Sequence, residues 1–319
     1  MTHRFGDAEL TYRDPGNRES PRFTGKIITH PERLDVPLKH KKPTVYALWN
    51  DLFHEAVSDE FRDNVYARMA LSDNHIFLTL TKRPQNAIQY FCDYPSICDD
   101  GNILAALTSP RYAHESCLKW NLEGCPYNEL VCVDSTQASS NFVCTDTPPV
   151  SFPLNNVWHG LTVCNQREAD EKIPVFLQVP GKKFLSIEPC LSKIVIMFIG
   201  EFDAIILGGE TGPGARPMHP DWARSIRDQC QAADAPFFFK QFGEWGPRSH
   251  GFRVGRKYKW GTHDGELFWE STTPWNGHDD DGIGREAVMI RVSHKAAGRL
   301  LDGQEWNDLP WICKEGSKL

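Results

Sequence analysis

Six short runs, each nearly continuous in apolar or β-branched residues, recur along this chain with helical patterns between most of them. That alternation limits the fold more than any other feature of the sequence. The runs are Thr44–Trp49, His75–Thr81, Val157–Val163, Lys183–Ile187, Ala204–Gly208 and Pro236–Lys240. Strands this uniformly apolar are covered on both faces, as parallel strands are when crossover helices pack over them. The helical patterns carry their own signals. Ser58 is an N-cap before Phe61, Val65, Met69 and Leu71; a second helix follows Asn165 through Glu168 and Asp170 to Leu177. A third opens on Pro220, a residue suited to the first helical position, and turns Trp222, Ile226 and Cys230 toward the sheet. The pattern predicts an α/β chain of parallel strands, and 319 residues are enough for one α/β barrel or two smaller domains.

The polar residues of this frame gather just after the strands, where a parallel barrel builds its site. Asn50, Asp51 and His54 follow the first run; Thr81, Lys82 and Arg83 end the second; Cys164, Asn165 and Gln166 follow the third. Glu188 follows the fourth, Glu210 and its glycines the fifth, and Lys240 and Gln241 the sixth. Singly, each has a plain explanation: Asp51 caps a turn, Lys82 and Arg83 are solvated, and Glu188 before Pro189 ends a strand. Recurrence at six successive strand ends is what points to one mouth. The richest segment runs from Ala204 to Trp222, joining a buried strand, a glycine loop and a helix start. There Gly208, Gly209, Gly212 and Gly214 permit close backbone approach, and Glu210 and Arg216 add one carboxylate and one guanidinium.

These residues define the expected site. Glu188, Glu210 and Lys240 are its candidate catalytic groups; Asn50, Asp51, Gly208, Gly209, Glu210 and Gly212 are candidates for a cofactor. Lys82, Arg83, Asn165, Arg216 and Gln241 are candidates for the substrate. The cations suit a phosphate or carboxylate, and the glutamates suit a ribose hydroxyl, an amine or a metal. A metal-assisted hydrolysis by Asp51, His54 and Glu210 lacks any recognisable ligand spacing, so no metal site is assigned.

A net charge of −7 and a pI near 5.9 exclude a broad basic face for tracking nucleic acid, so any anion site is focal. The apolar runs are too short to span a membrane and no signal-peptide pattern opens the chain, which makes the cytoplasm the default compartment. Six of the ten cysteines, Cys92, Cys98, Cys117, Cys125, Cys132 and Cys144, fall in one segment. It reads as an insertion over 92–152 between the barrel halves 1–91 and 153–245. Its spacings match neither zinc knuckles nor an iron–sulfur run, although His114, Cys117 and Cys125 are the set a metal would use. From Gly243 the chain is rich in Gly, Trp and Asp with weak periodicity, and 246–319 reads as an irregular extension packed on the barrel. Within it, Ala287–Val292 reads as a short strand and Lys295–Asp302 as a helix stopped by Gly303. Trp245, Trp260 and Trp269 are candidates either to clamp a ligand or to pack the loops.

Leu80–Pro84, Trp158–Gln166, Ser186–Pro189, Leu207–Pro217, Phe237–Trp245 and Lys295–Gly303 are distinctive segments in one order. Together, over about residues 40–91 and 153–310, they resemble a phage- and bacteria-associated family of unknown function whose members carry an N-terminal three-cysteine motif. The resemblance implies a partial, TIM-like (β/α) barrel related to radical S-adenosylmethionine enzymes, with three cysteines holding a [4Fe–4S] cluster and S-adenosylmethionine as cofactor. This chain has no cysteine before Cys92. In the family the cluster motif, ending in Cys-Tyr-Ala, directly precedes a segment like Met1–Phe5, so the expectation is a chain lacking the first strand and its cluster loop. Cys164 and Cys190 lie on different strand ends and form no compact triplet that would replace it. Two functions follow. One is a radical-SAM-like barrel binding a nucleoside-containing cofactor and an anionic substrate at the strand ends, inactive in that chemistry without the cluster. The other is a non-redox nucleotide- or phosphate-binding module that acts with a protein partner in phage infection or defence.

Overall fold

All six apolar runs form strands, and they pair in chain order into one parallel sheet. The computed structural model describes residues 11–12, 22–23, 26–48, 50–92, 153–247, 266–269 and 287–311. The antiparallel pair β1 (Thr11–Tyr12) and β2 (Arg22–Phe23) comes first, then α1 (Val36–Lys39). The main body follows as β3 (Val45–Leu48), α2 (Asp59–Ala70), β4 (Ile76–Thr81) and α3 (Pro84–Cys92). It resumes as β5 (Val157–Thr162), α4 (Gln166–Phe176), β6 (Lys182–Ile187), β7 (Ala204–Gly208), α5 (Pro220–Ala232) and β8 (Phe237–Gln241). β9 (Trp245–Pro247), β10 (Glu266–Trp269), β11 (Ala287–Arg291) and α6 (His294–Ala297) complete the order. A sheet whose spatial order is its sequence order, always parallel, winds in one direction and curls. The result is a half-barrel, with β3 and β8 as its edges among the described residues. No helix of the described residues is long and apolar enough to cross a membrane.

The alternation of side chains then divides the core into two. Odd-numbered residues of β4 to β8, among them Phe77, Leu161, Leu185, Ile205 and Phe237, pack against the helices. Even-numbered ones, Leu78, Trp158, Phe184, Ala204 and Ile206, form a second cluster on the inner face. Gly160 belongs to that inner set. A Cβ there would lie 2.2 Å from the Phe184 ring, so glycine is what lets the ring lie across β5.

The C-terminal segment completes the inner cluster. Phe239 N–H donates to Trp306 O at 3.0 Å and Asp308 N–H to Phe237 O at 3.1 Å, so residues 306–308 run antiparallel along the open side of β8. This pairing covers an edge that would otherwise expose its backbone. The chain then lays Trp311 against Trp158 and Phe184, with ring centroids 4.9 and 5.4 Å apart. Arg224 and Arg227 of α5 both pair with Asp302 and hold the segment to the helix layer.

The extension differs from its expected form. β9, β10 and β11 make a three-stranded antiparallel sheet rather than irregular chain. The expected helix ending at Gly303 is only α6, which stops at Gly298, where φ is +73°. Trp260 and the Cys-rich segment with Cys98, Cys117, Cys125, Cys132, Cys144 and His114 lie outside the described residues, as do the side chains of Trp269 and Cys92.

Ser58 caps α2 as expected, its Oγ accepting from Phe61 N–H, but Leu71 is the exposed C-cap rather than part of the buried face. That face instead includes charged residues. Arg62 donates to Leu52 O and His54 O at 3.1 and 2.9 Å, Asp63 accepts from the Tyr90 hydroxyl at 2.8 Å, and Arg68 pairs with Asp35. Buried charges persist only when so compensated, and helical periodicity of apolar residues cannot reveal them.

His159 lies in the same layer, its Nδ1 3.1 Å from Thr79 Oγ1 and 3.4 Å from the Tyr66 hydroxyl. Burial, helped by the Lys183 charge, lowers its pKa from 6.5 to about 3. The unfolded chain therefore binds a proton that the folded one refuses, and stability falls as pH drops below about 6.5 toward 3. Between pH 7 and 5 this one residue should cost about 2 kcal/mol. Urea unfolding at the two pH values should show that slope, and His159→Asn should flatten it; an equal slope in both proteins would refute the assignment.

The β6–β7 connection has no crossover α-helix, only a single 3-10 turn at Ile199–Glu201. An extended strap takes the helix's place, with Ile194 and Ile196 buried and Val195, Met197 and Phe198 exposed. Gln166 of α4 accepts from Val195 N–H at 2.7 Å and donates to Val195 O at 3.1 Å. Gln229 of α5 accepts from Ile196 N–H at 2.8 Å and donates to Ile194 O at 2.9 Å. Two side-chain amides thus supply the hydrogen bonds that a helix would have made internally.

Candidate functional site at the strand ends

The inner-face alternation continues past the ends of the strands and places Cys164, Glu188, Glu210 and Lys240 at one end of the sheet. Lys240 arrives there through a bulge. Leu207 pairs with Phe239 but Gly208 pairs with Gln241, leaving Lys240 as the extra residue. Bulges re-aim a side chain, and this one directs Lys240 across β7 to Glu188, just past β6. Its Nζ lies 2.9 and 3.2 Å from the two carboxylate oxygens, and Ser186 Oγ donates to the same carboxylate at 3.3 Å. The strand between them must be bare: a Cβ on Gly208 would lie 2.7 Å from Glu188 Oε1. The Glu188–Pro189 peptide is cis, and beyond it Cys190 N–H and Leu191 N–H donate to Gly208 O and Cys164 O at 3.0 and 2.9 Å.

Beyond β7 and β8 the two backbones nearly touch. A Cβ on Gly209 would lie 2.0 Å from Phe242 O, and one on Gly243, at φ +88°, 2.2 Å from Glu210 O. The contact sets Glu210 beside Glu244, whose N–H donates to Glu210 O at 3.0 Å. From there Glu210 folds back on its own loop. Arg216 donates to it from the backbone N–H, Nε and a terminal nitrogen, each at 2.8 Å. Those bonds hold the Glu210 carboxyl below its usual pKa. The Arg216 side chain remains 61% exposed, so one edge of the guanidinium faces the carboxylate while most of the group stays open to solvent.

At the other side of the mouth the cations separate. Arg83 pairs with Asp51 at 2.7 Å and with Glu55 at 2.8 Å. Asp51 also accepts from Thr81 Oγ1, Phe53 N–H and Lys82 N–H, so it ties the end of β3 to the end of β4. Its turn-capping role is the plain one. Asn165 is the N-cap of α4, accepting from Glu168 N–H at 3.0 Å, while Glu168 reaches back to Cys164 N–H. The backbone carbonyl of Gln241 accepts from Gly209 N–H at 2.9 Å. Asn50 and Lys82 are exposed.

Cys164 reports how these ends converge. Burial raises its thiol pKa, Glu168 raises it further, and Lys82, Lys172 and Arg216 act against both. Charges carried after β4, after β5 and after β7 therefore act on one sulfur, as expected of groups ringing one mouth. Below them lie the partly buried apolar residues Leu80 and Phe238, with Ile206 between.

Sequence reasoning missed four members of this arrangement. Ser186 shares a face with Glu188 two residues on, and that spacing would have found it. Gly243 and Glu244, just before the extension, and Arg291 within it, which donates to Gly212 O at 3.0 Å, lie where the sequence pattern offers no register to count from. Trp245 packs the loop, its Nε1 donating to Ala215 O at 2.7 Å.

The model of DUF5131, described as a protein of unknown function, matches residues 1–310. The chain belongs to that family. No curated protein and no solved structure matches this DUF5131 chain. The cluster implied by the resemblance does not fit its described cysteines. Among the described residues no three His, Cys, Asp or Glu side chains are grouped to hold a metal. Cys164, Cys190 and Cys230 are buried free thiols, and burial pushes Cys190 and Cys230 up to about 12, the reverse of what thiolate ligands need.

Proposed function

We propose that this mouth binds a nucleoside-containing ligand bearing an anionic group, with S-adenosylmethionine and nucleotides as the first candidates. In this reading the half-barrel is the TIM-like core of a phage-associated family related to radical S-adenosylmethionine enzymes, and the described residues serve it by binding rather than by holding a cluster. The observation that carries the reading is the geometry of the strand ends: Lys240 reaches Glu188 over bare Gly208 at 2.9 Å, and Arg216, carried after β7, keeps its guanidinium 61% exposed. An anion placed between those cations gains from both. Leu80, Ile206 and Phe238 offer an apolar floor for a planar base. The Glu188–Lys240 pair offers an acceptor and a donor to ligand hydroxyls, 2.9 Å apart and fixed by Ser186.

Calorimetry with S-adenosylmethionine and with ATP tests the proposal. Arg216→Ala should weaken ATP binding about tenfold or more, since it deletes a cation and leaves the Glu210 carboxylate uncompensated. Glu210→Gln should act the other way, freeing the guanidinium and tightening ATP binding a few-fold. Neither ligand binding to the unaltered protein, or the two variants shifting affinity in the same direction, would overturn the reading.

A further inference from the structure

The glycine loop 211–217 is held from outside the barrel. Its amide at Gly212 donates to Glu244 Oε1 at 3.2 Å, and the carbonyl of the same residue accepts from an Arg291 guanidinium nitrogen at 3.0 Å. Ala215 O accepts from Trp245 Nε1 at 2.7 Å. All three partners belong to the small C-terminal sheet or to the residue entering it. Trp245 and Arg291 are register partners on β9 and β11, and the Arg291 guanidinium lies 6.0 Å from the Trp245 ring centroid. Val292 N–H and Ser293 N–H, just past β11, donate to Glu244 O at 2.9 and 3.1 Å and secure the carboxylate's own backbone.

This is more support than a surface turn needs. Gly212 and Gly214 both have positive φ, at +98° and +74°, and a Cβ on either meets nothing within 4 Å. The loop therefore has conformational freedom and no steric wall of its own to remove it. What removes it, beyond the turn's own bond from Ala215 N–H to Gly212 O at 3.2 Å, is the set of outside bonds to Gly212 before Pro213 and to Ala215 after it. The loop in turn carries Arg216 at one end and Glu210 at the other.

We infer that the β9–β11 sheet is a working part of the binding site: Trp245 and Arg291 are positioning residues that lock the glycine loop so that Arg216 faces the mouth. The inference rests on the proposed binding function for its purpose, though not for its geometry. A locked loop presents the cation without an ordering cost at the moment of binding, which is how preorganisation strengthens affinity.

Two variants test it in the full chain. Trp245→Phe removes the indole donor and keeps an aromatic ring; Arg291→Met removes the guanidinium and keeps a long apolar stem. Hydrogen exchange of peptides covering 210–217 should quicken about tenfold or more in both, while peptides from β6 and β7 exchange as before. ATP affinity should fall about five- to tenfold, with a smaller loss for Lys295→Ala, an exposed residue of α6 with no hydrogen bond or ion pair to the loop among the described residues. Unchanged exchange in the loop, or acceleration spread evenly over β6 and β7, would overturn the inference. Because exchange is read without ligand, absence of ATP binding in the unaltered protein would defeat the functional reading while leaving the positioning role to be decided by exchange alone.

Discussion

Gly209→Ala should destabilise the protein by about 3 kcal/mol or more, the upper end of the usual cost of overpacking, and lower its melting temperature by roughly 6–12 °C. The obstacle is backbone, not side chain. The added methyl would lie 2.0 Å from Phe242 O and 2.4 Å from its carbonyl carbon, so no rotamer change relieves it. Separating the two backbone segments would stretch the Gly209 N–H bond to Gln241 O and move Glu210 out of the mouth. Gly212→Ala is the matched control. Nothing lies within 4 Å of its Cβ, and only its φ of +98° opposes the change, which costs about 1–2 kcal/mol. Thermal and urea unfolding of the pair should rank Gly209→Ala well below Gly212→Ala. Equal stability of the two variants would show that the β7 and β8 ends do not approach as described.

Trp311→Ala carries the second large effect. The indole is 5% exposed and touches Trp158 and Phe184 edge-on, so truncation removes a buried ring from the inner cluster and leaves a void against two others. Losses of about 3–5 kcal/mol accompany such changes. The effect should reach beyond the cavity. Residues 306–308 would keep their bonds to β8 but lose the anchor that follows them, and their hydrogen exchange should quicken. Trp311→Phe should recover part of the stability. A Trp311→Ala protein that melts with the unaltered one would mean that the C-terminal segment does not seat on the inner face.

The barrel layers were legible because burial on both faces of a parallel strand leaves an uninterrupted apolar run. Each of the six runs became a strand to within a residue or so at either end. Capping chemistry was equally readable: Ser58, Asn165 and Pro220 begin their helices through bonds and ring geometry local to a few residues. What was not legible depends on contacts between distant segments. The bulge at Lys240 arises from the register of β8 against β7, and the pairing of Arg83 with Asp51 joins residues 32 positions apart. Polar residues after strands announced a mouth, but only coordinates divide them into those that ring it, such as Glu188 and Lys240, and those such as Asp51 and Asn165 that brace it.

The strap between β6 and β7 carries a constraint of its own. Gln166 and Gln229 each use both ends of one amide, giving a proton to a carbonyl and taking one from an N–H. Glutamate has nearly the same size and shape, and substitution tables treat the exchange as mild. Here it would set a carboxylate oxygen against the carbonyl of Val195 or Ile194 and bring an unmatched negative charge beside apolar Ile194 and Ile196. Hydrolysis of either amide as the protein ages would make that same exchange without any change in the gene.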